Sequence, residues 1–194
     1  MRPVRTVVLP LIGINAIVFL LQVVLGRPFT ELLLLDQSRV WFEPWRLVTS
    51  MFLHGSFNHI FFNMFGLFIF GPILEQRIGP KRFLMLYLGA GLLAGIAAAL
   101  LYPASLGASC AIFGMLGALI MLLPRLQILF FFVIPMPLWV AGIVWVLLDT
   151  IGLFFPTGIA SAAHLAGMAA GLLVGWYIKR TEPVPVFLHP GHRF

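Results

Sequence analysis

Apolar residues run along the chain in six long stretches, and the short segments between them hold most of the charge. The pattern predicts membrane spans over residues 7–25, 48–70, 83–101, 108–123, 128–148 and 161–178. Crossing a bilayer takes roughly 20 mostly apolar residues in a helix, and most of these runs approach that length. The predicted connections cover 27–46, 75–82, 102–107, 124–127 and 149–160. The expected fold is an all-α membrane protein, a six-transmembrane-helix bundle filling residues 1–180, with an irregular, proline-rich cytoplasmic tail over 181–194.

Within the runs, small residues recur every fourth position. Span three has Gly91, Gly95 and Ala99; span four has Cys110, Gly114 and Ala118; span six has Ala163, Gly167, Gly171 and Gly175. Such stripes let backbones approach closely in lipid, where packing rather than water exclusion holds helices together. They predict that spans four and six lie against each other.

Composition agrees with a membrane protein. Hydrophobic residues make up 61% of the 194 and charged residues only 9%, against about 25% charged in a soluble domain. The net charge of +6 does not signal nucleic acid, because the basic residues are scattered at segment ends. With the N-terminus inside, only Arg27, Arg39 and Arg46 of the 12 Lys and Arg fall outside. The positive-inside rule then puts both termini in the cytoplasm, the expected location being a bacterial-type plasma membrane. The first apolar run lacks a clear small-residue cleavage site and reads as an uncleaved anchor. A single cysteine, Cys110, leaves no disulfide to form within the chain.

Ionisable and polar groups inside spans are costly and are candidates for function. His54, His59 and Asn63 fall in span two, Ser109 begins span four and His164 lies in the first turn of span six. All three spans begin on the same, outer side, so the polar groups gather in one layer. His59 and Asn63 are four apart and share a helix face. A serine hydroxyl is a weak nucleophile until a neutral imidazole takes its proton. A His and an Asn on one face, with the backbone N–H of Ser109, supply donors for an oxyanion. Asp149 is the only carboxylate between Glu75 and Glu182 and sits at the outer end of span five; it is a minor candidate for an orienting partner, and the site reads as a Ser–His dyad. Taken alone, Ser109 reads as a helix cap and the histidines as packing groups or metal ligands. No carboxylate or second soft ligand accompanies the histidines, and a proton-coupled transporter would need the mid-span carboxylates that are missing.

Several segments resemble one family in order and spacing. Trp45-Arg46, the stretch HGSFNHIFFN from His54 to Asn63, and Glu75-Gln-Arg77 resemble the second-helix region of rhomboid intramembrane serine proteases. Gly107-Ala-Ser-Cys110 resembles their Gly-x-Ser-Gly segment. Ala163-His-Leu-Ala-Gly167, with Gly171 beyond, resembles their Ala-His-x-x-Gly element. The resemblance runs from about Trp45 to Gly171. It implies a six-helix protease cutting transmembrane segments of other proteins near their outer end, with Ser109 as nucleophile, His164 as base, and His59 and Asn63 as oxyanion donors. It also implies structural roles for His54, Trp45, Arg46, Glu75 and Arg77, transmembrane proteins and lipid as partners, and no cofactor or metal. The second reading is a non-proteolytic rhomboid-like protein that binds transmembrane helices; the Ser109–His164 pair favours the protease.

Three features depart from the family pattern. Cys110 stands where glycine is usual, and its side chain threatens to push Ser109 and His164 apart; about 1 Å of misplacement can cost a hundredfold in rate. Phe113 stands where tyrosine is frequent, and is expected to pack on the His164 ring without a hydroxyl contact. The first loop, near 26–46, is shorter than in some relatives.

Overall fold

The computed structural model describes residues 6–130, 133–155 and 158–181. Four helices are long and apolar enough to cross a membrane: α1 (Val8–Leu25), α4 (Phe57–Ile78), α5 (Pro80–Leu101) and α8 (Ser161–Thr181). Two shorter apolar helices, α6 (Ser109–Leu122) and α7 (Leu138–Phe154), pack among them. Helix α6 is the centre of the bundle. It touches α4, α5 and α7, and α8 most extensively. Its middle residues Gly114 to Leu119 are all buried.

Two boundaries differ from the expected ones for clear chemical reasons. The span expected over 48–70 begins instead at Phe57 and ends at Ile78. Ser56 is extended and its Oγ accepts from the His59 N–H (3.1 Å), a helix start that satisfies one of the orphan amides. The apolar residues before it form a short helix α3 (Arg46–Thr49) and a 3-10 turn (Ser50–Phe52). The span expected over 128–148 is displaced to Leu138–Phe154. Residues before it form a hairpin of β3 (Gln127–Phe130) and β4 (Ile134–Pro137), with Gln127 opposite Pro137. Pro135 and Pro137 lack the N–H a helix interior requires, so the helix starts only after them. The shift carries Asp149 from a loop edge into α7.

The connection expected over 27–46 is structured. It contains α2 (Arg27–Leu33) and β1 (Leu35–Asp36), which pairs antiparallel with β2 (Ala104–Ser105). Half-buried Asp36 accepts from the Ser38 hydroxyl (2.6 Å) and N–H (2.9 Å), bonds that hold its carboxyl below the usual range. The loop wraps around Arg46, which is 1% exposed. The guanidinium donates to the carbonyls of Glu31 (2.8 Å) and Leu34 (2.7 Å) and pairs with Glu43, as a buried charge requires. At the opposite end, buried Glu75 accepts from Thr6 Oγ1 (2.6 Å) and the Val7 N–H (2.7 Å). It ties the start of α1, where unpaired amides and the helix dipole favour an anion, to the end of α4. Most of the 181–194 tail lies outside the described residues, as do Arg2, Arg5, His189, His192 and Arg193.

Candidate active site

Ser109 opens α6, and its hydroxyl does not cap the helix. Ala108 occupies the cap position with no side-chain hydrogen bond. Ahead of it, Gly107 has φ +127 and donates its N–H to the Ser50 carbonyl (2.9 Å). That φ is open to glycine and strained for other residues. The turn aims the Ser109 side chain across to α8, where Oγ lies 2.8 Å from His164 Nε2.

Two side chains hold the His164 ring and a third fixes the start of its helix. The Phe113 ring, one turn beyond Ser109, stacks on it at 4.4 Å between centroids and 16° between planes. The start of α8 is anchored from the end of α5 by Tyr102, whose hydroxyl accepts from the Ala162 N–H (2.9 Å). On the far side of the ring, Asp149 Oδ1 lies 3.2 Å from Nδ1. Beside the Ser109–His164 pair, a carboxylate thus reaches the imidazole. Asp149, from its sequence position a minor candidate for an orienting partner, lies within α7.

His59 reaches the same place from α4. A Cβ built on Gly107 would stand 2.8 Å from His59 Nε2 and 3.6 Å from Ser109 Oγ, so both atoms border one point. The Gly55 N–H points at His59 Nδ1 (3.3 Å). An acceptor at Nδ1 leaves the proton of a neutral ring on Nε2, which then faces the site as a donor. One turn deeper on that face, Asn63 is 7% exposed and its Nδ2 has no hydrogen-bond partner. The N–H of Ser109, in the first turn of α6, has no acceptor within its helix. A cavity of about 630 Å³, lined in part by His59, Tyr102, Ser105, Gly152 and Ala160, opens beside His59.

Cys110 does not separate the pair. The backbone of Cys110 abuts Gly167, where a Cβ would overlap the Cys110 carbonyl. Its side chain packs toward a cluster that includes Leu35, Ala94, Ala98 and Ala163. The expected closeness of α6 and α8 is present along their length: a Cβ on Gly171 would overlap the Gly114 carbonyl, and one on Gly175 would sit 2.9 Å from Ala118 Cα.

The other candidates lie around the site rather than in it. His54 is 2% exposed, donates its N–H to Gln22 Oε1 (2.9 Å), and meets the His59 ring edge-on at 5.0 Å. Arg46 and exposed Trp45 belong to the first loop, and Glu75 and Arg77 to the opposite end of α4. Gln22, Gly55 and Tyr102 were not singled out in the sequence; their contacts depend on partners 32, 4 and 60 positions away. Among the described residues, no three His, Cys, Asp or Glu side chains gather in a metal-binding group.

Comparison with known proteins bears on this arrangement. Residues 42–181 match the family model of the Rhomboid domain. The chain is 35% identical over 188 residues to "Rhomboid protein 1, mitochondrial" of Saccharomyces cerevisiae, covering 91% of this chain and 54% of that protein. It is 34% identical over 131 residues to "Rhomboid protease GluP" of Bacillus subtilis, covering 66% of this chain and 25% of the relative. With "Rhomboid protease GlpG" of Haemophilus influenzae it shares 30% identity over 135 residues, 69% of each chain. The chain thus spans about half the length of the yeast relative and a quarter of the Bacillus one.

Proposed function

The chain belongs to the rhomboid family of integral membrane proteins, and we propose that it is a serine endopeptidase cleaving transmembrane segments of other membrane proteins within the bilayer. The observation that carries the proposal is the 2.8 Å contact between Ser109 Oγ and His164 Nε2 at the matching ends of α6 and α8. The site residues in this reading are Ser109 as nucleophile and His164 as general base.

In the reaction, His164 Nε2 takes the hydroxyl proton as Ser109 Oγ attacks the scissile carbonyl. The carbonyl oxygen becomes an anion, met by His59 Nε2–H, Asn63 Nδ2–H and the Ser109 N–H, with the α6 N-terminus adding its dipole. Collapse releases the amine with the proton from His164 and leaves an ester on Ser109. Water from the adjoining cavity hydrolyses it by the same route in reverse. No step calls for a cofactor.

The bilayer decides which substrates are open to this chemistry. A helix hides its carbonyls in internal hydrogen bonds, so a transmembrane segment must unwind before Ser109 can reach one. Segments with helix-destabilising and small residues near their outer end meet that condition. In this reading the six apolar helices form one transmembrane bundle. At 14 residues α6 is about 21 Å long, short of the roughly 30 Å hydrocarbon core. Surrounded by other helices, it need not reach the surface, and Ser109 starts below it. The Lys and Arg distribution supports both termini on the cytoplasmic side and the site in the outer half of the membrane.

A fluorophosphonate reagent tests the nucleophile. Wild type labels at Ser109, while Ser109→Ala and His164→Ala lose labelling by at least about 10³-fold. Labelling that survives Ser109→Ala, or a wild type that never labels under conditions where an active relative does, contradicts the proposal.

A further inference from the structure

We infer that Asp149 is a positioning residue of the site, holding His164 in the one tautomer that can accept the Ser109 proton. Its kinetic consequence rests on the protease reading above; its structural content rests on the contact between α7 and α8.

A neutral imidazole carries one proton on two nitrogens. His164 Nε2 faces Ser109 Oγ at 2.8 Å and Nδ1 faces Asp149 Oδ1 at 3.2 Å. With the proton on Nε2, the bare lone pair of Nδ1 would confront a carboxylate oxygen, two acceptors face to face. With the proton on Nδ1, that contact becomes a hydrogen bond to an anion, and Nε2 is left free to accept from serine. The carboxylate therefore selects the reactive form. Phe113 stacking sets the plane of the ring, but a stacked ring can still rotate in its plane or exchange tautomers. Asp149 supplies the constraint that stacking lacks.

Burial strengthens the case. The Asp149 and His164 side chains are 9% and 12% exposed, and Asp149 lies within the apolar helix α7. A carboxylate buried there is costly unless paired. When His164 takes the serine proton, the resulting cation lies beside this fixed anion. The proton passes from Ser109 to Nε2 and on to the leaving amine, and none is handed to Asp149. No covalent bond forms at Asp149.

The test uses the full chain in lipid nanodiscs with ¹⁵N-labelled histidine. The His164 resonances of wild type show a protonated Nδ1 and an accepting Nε2. In Asp149→Asn and Asp149→Ala that preference is lost. In the same preparations, kcat on a transmembrane substrate falls on the order of a hundredfold. KM stays within about threefold, as expected of a group that acts through the base and not on the substrate. Thermal unfolding of each variant separates this from loss of fold, and one folded variant suffices. A folded variant that keeps the wild-type tautomer, or keeps wild-type kcat, overturns the inference. A wild type with the Nδ1–H tautomer but no activity would instead sink the protease reading and leave the Asp149 contact confirmed.

Discussion

Ser109 occupies the first turn of α6, where a serine hydroxyl ordinarily bonds back to its own helix. Here Ala108 holds the cap position and the hydroxyl is turned to His164. The neighbouring Cys110 is the residue most able to spoil that contact, yet it packs against the cluster of Leu35, Ala94 and Ala98 while Ser109 and His164 stay within hydrogen-bond distance. Cys110→Gly therefore changes kcat/KM by less than about threefold; a gain of tenfold or more in a cleavage assay, about 1.4 kcal/mol of barrier, would mean that the cysteine does distort the pair. Asn63 is the cleaner test of the oxyanion donors, since its Nδ2 is buried without a partner. Asn63→Ala lowers kcat about 10²–10³-fold with little change in thermal stability, measured on purified protein. At this scale much of the site was legible. Polar side chains inside apolar runs stand out because each must justify its burial, and Ser109, His164, His59 and Asn63 did. Asp149 stood out less, as a minor candidate for an orienting partner, because its place depends on where α7 begins, at Leu138.

The α6–α8 crossing shows what a stripe of small residues builds. Gly114, Gly171 and Gly175 leave no room for side chains between the two backbones, and this closeness brings Ser109 within hydrogen-bond reach of His164. Gly171→Val forces its side chain into the Gly114 carbonyl. It should destabilise the bundle by about 1–3 kcal/mol or more, seen as a lower unfolding temperature in detergent, with activity lost in parallel. An unchanged unfolding temperature would show that the crossing is looser than described. This contact could be read in advance, because four-residue spacing on two helices has a direct geometric meaning. The starts of α4 and α7 could not be read from apolar length alone. Ser56 capping and the Pro135–Pro137 pair decide them, and both overrule hydrophobicity locally. The short hairpin ahead of α7 was missed for the same reason: a run of apolar residues does not by itself distinguish strand from helix.

Across the whole molecule, two buried charges secure the ends of the bundle. Arg46 gathers the first loop from Glu31 to Glu43 on the side of the site, and Glu75 ties α1 to α4 on the other. Between them the chain delivers polar groups from α4, α6, α7 and α8 to one layer near one face. The class of fold was legible from six apolar runs and scarce charge, since lipid permits few ways to satisfy a backbone. The folded first loop was not, because its order depends on the guanidinium of Arg46 reaching carbonyls 12 and 15 positions back. The central claim is that this layer hydrolyses peptide bonds inside a membrane. It is tested most directly by reconstituting purified protein with a transmembrane substrate in proteoliposomes and mapping the products by mass spectrometry. The account predicts a single cut in the outer part of the substrate's transmembrane segment, made by wild type and abolished in Ser109→Ala. No cut by wild type, or a cut that persists in Ser109→Ala, would contradict it.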